Sequence, residues 1–67
     1  MKDKSNRLKS IRKYVSEQKI SSQEELLQLL SDEGFILTQA TLSRDLKQLK
    51  IAKMPDYEGG YIYVLPE

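Results

Sequence analysis

The chain has no cysteine among its 67 residues. A domain of this length lies near the lower limit at which a single hydrophobic core is stable, and many domains of this size rely on disulfides or structural metals. Without cysteine, neither a disulfide nor a thiolate metal site can form. We therefore expect one small domain over residues 1–67, held together by apolar packing.

The distribution of apolar and ionisable residues argues against several classes of protein. Hydrophobic residues make up 39% of the chain, but no run of them approaches the roughly 20 needed to cross a bilayer. The first residues, 1–4, are charged and lead into a polar stretch unlike a secretory signal, so we expect a cytoplasmic protein without a membrane partner. The chain also lacks histidine, the usual proton carrier near neutral pH. An enzyme, a metal site or a bound cofactor is therefore not expected.

Charge is segregated along the chain, although the formal net charge is only +1. Residues 1–19 carry a net +5 and residues 38–53 a net +3, whereas residues 20–33 carry −4 and residues 54–67 carry −3. Such a chain can present a basic face to a polyanion despite its nearly neutral total. Charged helices that simply face solvent would give the same map, so charge alone does not decide between the two.

Apolar spacing and capping residues predict the first two helices. Apolar residues recur at intervals of three and four between about residue 5 and residue 18, which is the pattern of one helical stripe. Ser22 followed by Glu25 is a capping-box pattern, which predicts the start of a second helix. This helix should end at Gly34, the residue best suited to the left-handed conformation that closes a helix.

A third helix is predicted from Gln39 to about Lys50, with Thr38 as its N-cap. Leu37 and Leu42 lie on either side of this cap at the spacing of a hydrophobic staple. Three leucines of the helix fall within about 60° of one another around its axis and should form its core stripe. These are Leu42, Leu46 and Leu49.

A β-hairpin should follow the helices. Residues 51–54 and 61–65 have strand composition, and residues 55–60 between them are rich in turn-forming types. Pro66 should end the pairing, and Tyr61, Tyr63 and Leu65 should face the helices. Three helices followed by a hairpin is the order of a winged helix-turn-helix, a mainly helical fold with a small β wing.

The face of the third helix opposite its leucines is small and basic. Arg44 lies roughly 200° from Leu42 around the helix axis, and its planar fork can bond both guanine O6 and N7. Gln39 in the first turn can pair with adenine, and Ala40 or the methyl group of Thr41 can contact a thymine methyl. These residue types predict base reading in the major groove, although bases on an amphipathic helix are often merely solvated.

Backbone contacts to a duplex are expected at the ends of this face. Lys47 lies one turn beyond Arg44 and is a candidate phosphate contact. The free N–H groups at a helix N-terminus suit a phosphate, which makes Ser22, Gln23 and Thr38 further candidates. The presence of Ser22 is equally well explained by its role as the N-cap of the second helix.

Three stretches resemble the N-terminal domain of the bacterial arginine repressor family: TQATLSRDLK at residues 38–47, SQEEL at 22–26 and YIYVLP at 61–66. The resemblance implies a winged helix that binds AT-rich palindromic operators, represses arginine biosynthesis genes and often activates catabolic ones. It also implies that Ser43 and Arg44 reach the bases, helped by Gln39, with Gln23 near the backbone.

Members of this family continue into a second domain that binds L-arginine and assembles trimers and hexamers. Because this chain stops at Glu67, we expect it to be the DNA-binding part alone, monomeric and without the L-arginine site. The wings of the family approach the minor groove. Here the wing tip carries Asp56 and Glu58, whose charges the negative potential of that groove would repel.

A winged helix that docks another protein is the alternative hypothesis. Its basic face would meet an acidic partner, and its wing would pair with a strand. The near-neutral total charge favours this alternative slightly. The absence of a large apolar residue among the exposed bases of the third helix favours DNA, because protein hot spots are enriched in aromatic anchors.

Overall fold

The computed structural model describes residues 4–66, so the charged residues 1–3 and Glu67 lie outside the described part of the chain. Three helices precede a two-stranded antiparallel sheet, which confirms the predicted mainly helical winged helix-turn-helix. The elements are α1 (Lys4–Glu17), α2 (Gln23–Asp32), α3 (Gln39–Gln48), β1 (Ala52–Pro55) and β2 (Tyr61–Val64).

Both ends of α2 have the predicted chemistry. The Ser22 hydroxyl accepts a hydrogen bond from the Glu25 backbone N–H at 3.2 Å, which confirms Ser22 as the N-cap. At the other end Gly34 has a φ of 103°, and the Phe35 N–H donates to the Leu30 carbonyl at 2.9 Å. This bond and the left-handed glycine form a Schellman motif, which turns the chain sharply towards α3.

Helix α3 begins as predicted but ends earlier. Thr38 caps it by accepting from the Thr41 N–H at 3.2 Å. The helix stops at Gln48 rather than at Lys50, because Lys50 itself adopts the left-handed conformation with a φ of 59°. The Ile51 N–H then donates to the Leu46 carbonyl at 2.9 Å, so a second Schellman motif closes this helix with lysine where glycine is usual.

The core lies where the three helices meet the wing. Leu42 is fully buried and Leu46 is 5% exposed, while Leu49 packs against the core from its edge, which confirms the predicted leucine stripe. The other buried apolar residues come from α1, α2, β2 and the segments that connect the elements: Ile11, Val15, Ile20, Leu26, Leu30, Phe35, Ile51 and Tyr63.

The hairpin pairs Ala52 with Val64 at one end and Pro55 with Tyr61 at the other. Pro55 therefore belongs to β1, whereas the sequence pattern predicts it in the turn. A proline is tolerated at this position because it lies at the end of an edge strand. Tyr63 is buried as expected, but Tyr61 is 58% exposed because it lies at the far end of the hairpin. The Tyr63 N–H donates to the Ile20 carbonyl at 2.9 Å, which ties the wing to the link between α1 and α2.

Candidate nucleic-acid interface

The outer face of α3 is the basic face that the sequence predicted. Because Leu42 and Leu46 point into the core, the opposite side of the helix faces solvent. The exposed residues there are Gln39, Ala40, Arg44 and Lys47, with Thr41 and Ser43 half-buried on the flanks. Arg44 is in no ion pair with any residue of the described range 4–66, so its guanidinium fork is free to meet a ligand.

A hydrogen bond joins the start of α2 to the middle of α3. The Ser43 hydroxyl donates to Oε1 of Gln23 at 3.1 Å, and both residues are partly buried. This bond directs the amide nitrogen of Gln23 away from Ser43, where it can still act as a donor. Two candidate residues from separate helices are thus brought together at one edge of the basic face.

Two further candidate residues are engaged in capping. The Ser22 oxygen holds the first turn of α2, and the Thr38 oxygen holds the first turn of α3. The Thr38 hydroxyl also donates to the Thr41 hydroxyl at 3.2 Å. At both positions, a phosphate would therefore be met chiefly by the free backbone N–H groups of the first helical turn.

A buried ion pair behind the basic face escaped the sequence interpretation. Asp45 is only 2% exposed, and Arg7 of α1 reaches it with two bonds: Nε to Oδ2 at 2.6 Å and Nη2 to Oδ1 at 3.1 Å. The hydrogen bond to Asp45 is the main cause that raises the pKa of Arg7, which stays charged. Helical geometry places Asp45 about 60° from Leu42, which signals burial, but nothing in the sequence identifies Arg7 as its partner.

The acidic wing tip is partly neutralised by a residue outside the wing. Lys19, just after α1, contacts Glu58 at 2.5 Å and Asp56 at 3.5 Å. The hydrogen bond to Glu58 is the main cause that raises the pKa of Lys19. Tyr57, between the two acids, is fully exposed. One lysine thus balances one of the two carboxylates, and the tip keeps a net negative charge.

Within residues 4–66, no helix has both the length and the hydrophobicity that a membrane span requires. The same residues contain no cluster of histidine, cysteine, aspartate or glutamate suited to a metal ion.

Two helices joined by a sharp turn, a third packed on them and an antiparallel hairpin define a winged helix-turn-helix of the DNA-binding class. The chain belongs to the arginine repressor family: residues 2–67 match the family model described as "Arginine repressor, DNA binding domain".

Curated relatives agree with this assignment. The chain is 62% identical over 66 residues to an arginine repressor of Bacteroides fragilis, and 55% identical over 67 residues to one of Parabacteroides distasonis. It is 44% identical over 64 residues to an arginine repressor of Bacillus cereus. These matches cover 98%, 100% and 96% of this chain but only 42%, 46% and 43% of the relatives. The chain therefore spans less than half the length of the curated relatives it matches.

Proposed function

We propose that this chain is the sequence-specific DNA-binding domain of an arginine-responsive transcriptional regulator. The observation that carries the proposal is the exposed face of α3, where Arg44 stands unpaired within residues 4–66 and among small neighbours. Membership of the arginine repressor family supports the same role. Placed in the major groove, this helix would bring its first two turns against the base edges.

The base contacts follow from the side chains of that face. Arg44 would read guanine through its two-pronged fork, and Gln39 would read adenine through its amide. Ala40 and Thr41 would contact thymine methyl groups, and Ser43 would reach the bases beside Arg44. Small side chains at these flanking positions let the helix backbone come close to the duplex.

The phosphate contacts would lie around this reading face. Lys47 is exposed one turn beyond Arg44, towards the wall of the groove. Gln23 would use its free amide nitrogen, and Ser22 and Thr38 would present the N-terminal backbone of their helices. These contacts fix the position of the domain without reading sequence, so their loss should weaken binding to every duplex.

The biological role proposed for the complete protein is wider. The named relatives are arginine repressors. We infer that the regulator represses arginine biosynthesis genes, and in some settings activates catabolic ones, by binding AT-rich palindromic operators. L-arginine would bind outside these 67 residues, and the hexamer of the complete regulator would assemble there too, leaving this chain monomeric.

Selection from a pool of random duplexes, followed by binding measurements, tests the proposal. The chain should enrich an AT-rich motif and bind it at least about a thousandfold more tightly than a scrambled duplex of the same composition. If no motif is enriched and both duplexes bind alike, specific reading is wrong. If neither duplex binds at moderate salt, the protein-docking hypothesis takes its place.

A further inference from the structure

The buried pair of Arg7 and Asp45 is unusually directional for an ion pair in so small a domain. Each carboxylate oxygen of Asp45 accepts from a different nitrogen of Arg7, at 2.6 Å and 3.1 Å. The side chains of Arg7 and Asp45 are only 18% and 3% exposed. A two-pronged pair fixes the relative orientation of its partners as well as their distance, which a lysine could not do.

The pair connects two helices that lack close backbone packing. Helix α2 packs closely on both α1 and α3, whereas α1 and α3 do not approach each other as closely. The long Arg7 side chain spans this separation and holds α3 at its middle. Leu42 and Leu46 bury one side of α3 in the shared core, and the Arg7–Asp45 pair adds a directional restraint on the rotation of α3 relative to α1.

That rotation decides where the reading face points. Asp45 follows Arg44 directly in the chain, and successive helical residues lie about 100° apart around the axis. Holding Asp45 against Arg7 consequently helps to fix the direction in which Arg44 leaves the helix. Two-pronged recognition requires placement to within about 0.5 Å and 10–20°. A small roll of α3 would thus spoil base reading while leaving phosphate attraction largely unchanged.

We propose that Arg7 is a positioning residue for DNA recognition, which acts through Asp45 to set the rotation of α3. The inference rests on the proposed function. It gives a role to a partly buried charge pair, since such pairs often add little stability compared with apolar packing. In this proposal Arg7 contacts no base, because its guanidinium group is engaged by Asp45.

The test uses variants that keep charge and volume as far as possible. Arg7→Lys preserves the charge but removes the fork, and Asp45→Asn preserves the shape but removes the charge. Arg12→Lys is the matched control, because Arg12 is an exposed arginine of the same helix with no ion pair in the described range. Binding to the selected duplex and to its scrambled counterpart is measured well below the lowest melting temperature of the set.

Arg7→Lys should weaken binding to the selected duplex about tenfold and to the scrambled duplex less than about twofold. The double variant Arg7→Lys/Asp45→Asn should bind the selected duplex no more weakly than the single variant with the lower affinity, because both substitutions disrupt the same ion pair. Residual dipolar couplings should report a changed orientation of α3 relative to α1 in Arg7→Lys, and none in Arg12→Lys.

A purely structural role would lower the melting temperature without changing the ratio of the two affinities, and that result would overturn the proposal. Unchanged dipolar couplings in Arg7→Lys would overturn it as well. If the wild-type chain does not discriminate between duplexes, the proposed function fails. The couplings then decide separately whether Arg7 orients α3.

Discussion

The Ser43 hydroxyl donates a hydrogen bond to the side-chain oxygen of Gln23 across 3.1 Å, from the middle of the reading helix to the start of the helix before it. This bond couples Ser43, a candidate base contact, to Gln23, a candidate phosphate contact. A glutamate in place of Gln23 would keep the acceptor but lose the amide donor. The bond therefore offers a way to separate folding from binding.

Gln23→Glu should retain the bond to Ser43 and place a negative charge in the first turn of α2, where the helix dipole favours it by about 0.3–1 kcal/mol. We expect an unchanged or higher free energy of unfolding in a urea titration. Binding to both the selected and the scrambled duplex should weaken, most strongly at low salt. Unchanged DNA binding by this variant would place Gln23 away from the duplex.

Arg44→Ala and Lys47→Ala should differ in which duplex they affect. Loss of Arg44 should cost about 1–3 kcal/mol on the selected duplex and much less on the scrambled one, because a base contact is lost. Loss of Lys47 should weaken both alike and lower the slope of log affinity against log salt by about 1. Fluorescence anisotropy at several salt concentrations measures both. If Arg44→Ala loses the same binding free energy on both duplexes, Arg44 contacts only phosphate.

Leu46→Ala should destabilise the domain by about 2–5 kcal/mol, because Leu46 is 5% exposed and its loss leaves a cavity under the reading helix. A single core in a domain of this size rarely supplies more than about 3–5 kcal/mol, so a loss at the upper end of that range would unfold it. Ile36→Ala is the control: Ile36 is 99% exposed, so the change should stay within about 0.5 kcal/mol. Thermal and urea unfolding followed by circular dichroism distinguish the two. Equal stabilities would contradict the placement of Leu46 in the core.

Lys50→Gly should stabilise the domain. Lys50 has a φ of 59°, a conformation that costs a side-chain-bearing residue about 1–2 kcal/mol. Glycine removes this strain but adds about 0.4–1 kcal/mol of unfolded-state entropy, so we expect a net gain of about 0.5–1 kcal/mol. Lys50→Ala removes the same charge but keeps the strain and should change little. If the alanine variant gains as much stability, charge and not backbone conformation explains the effect.

Glu58→Gln should strengthen binding to both duplexes by about two- to threefold at low salt, because it removes repulsion between the wing tip and the phosphates. Stability should change by less than about 1 kcal/mol, since the contact of Glu58 with Lys19 is solvent-exposed. Repeating the measurement at about 1 M salt should abolish the gain. A gain that persists at high salt would indicate a direct contact and not charge repulsion.

The sequence predicts best what neighbouring residues determine. Ser22 and Thr38 revealed where α2 and α3 begin, because a cap is recognised from residues a few positions apart. The sequence predicts the end of α3 less well, because Lys50 and not a glycine takes the left-handed conformation there. Ile51, directly after it, is buried in the core.

Contacts between residues far apart in the chain cannot be predicted from the sequence in the same way. Arg7 and Asp45 are 38 positions apart, and Arg7 was one of several bases in the first helix. Lys19 likewise gave no sign that it would meet Asp56 and Glu58, because the path of the wing depends on how the hairpin packs. The exposed character of Arg44 and Lys47 was predictable, since it follows from helical periodicity and the leucine stripe alone.

The hydrogen bond from Tyr63 to Ile20 has a consequence for the order in which the chain folds. It closes a loop that contains α2, α3 and β1. Closing this loop costs conformational entropy, and the cost is smaller once the helices inside the loop have packed together. The helices are short-range structures that can assemble early, whereas the wing depends on partners distant in sequence. We therefore expect the wing to dock last in folding and to be the first part to detach in unfolding.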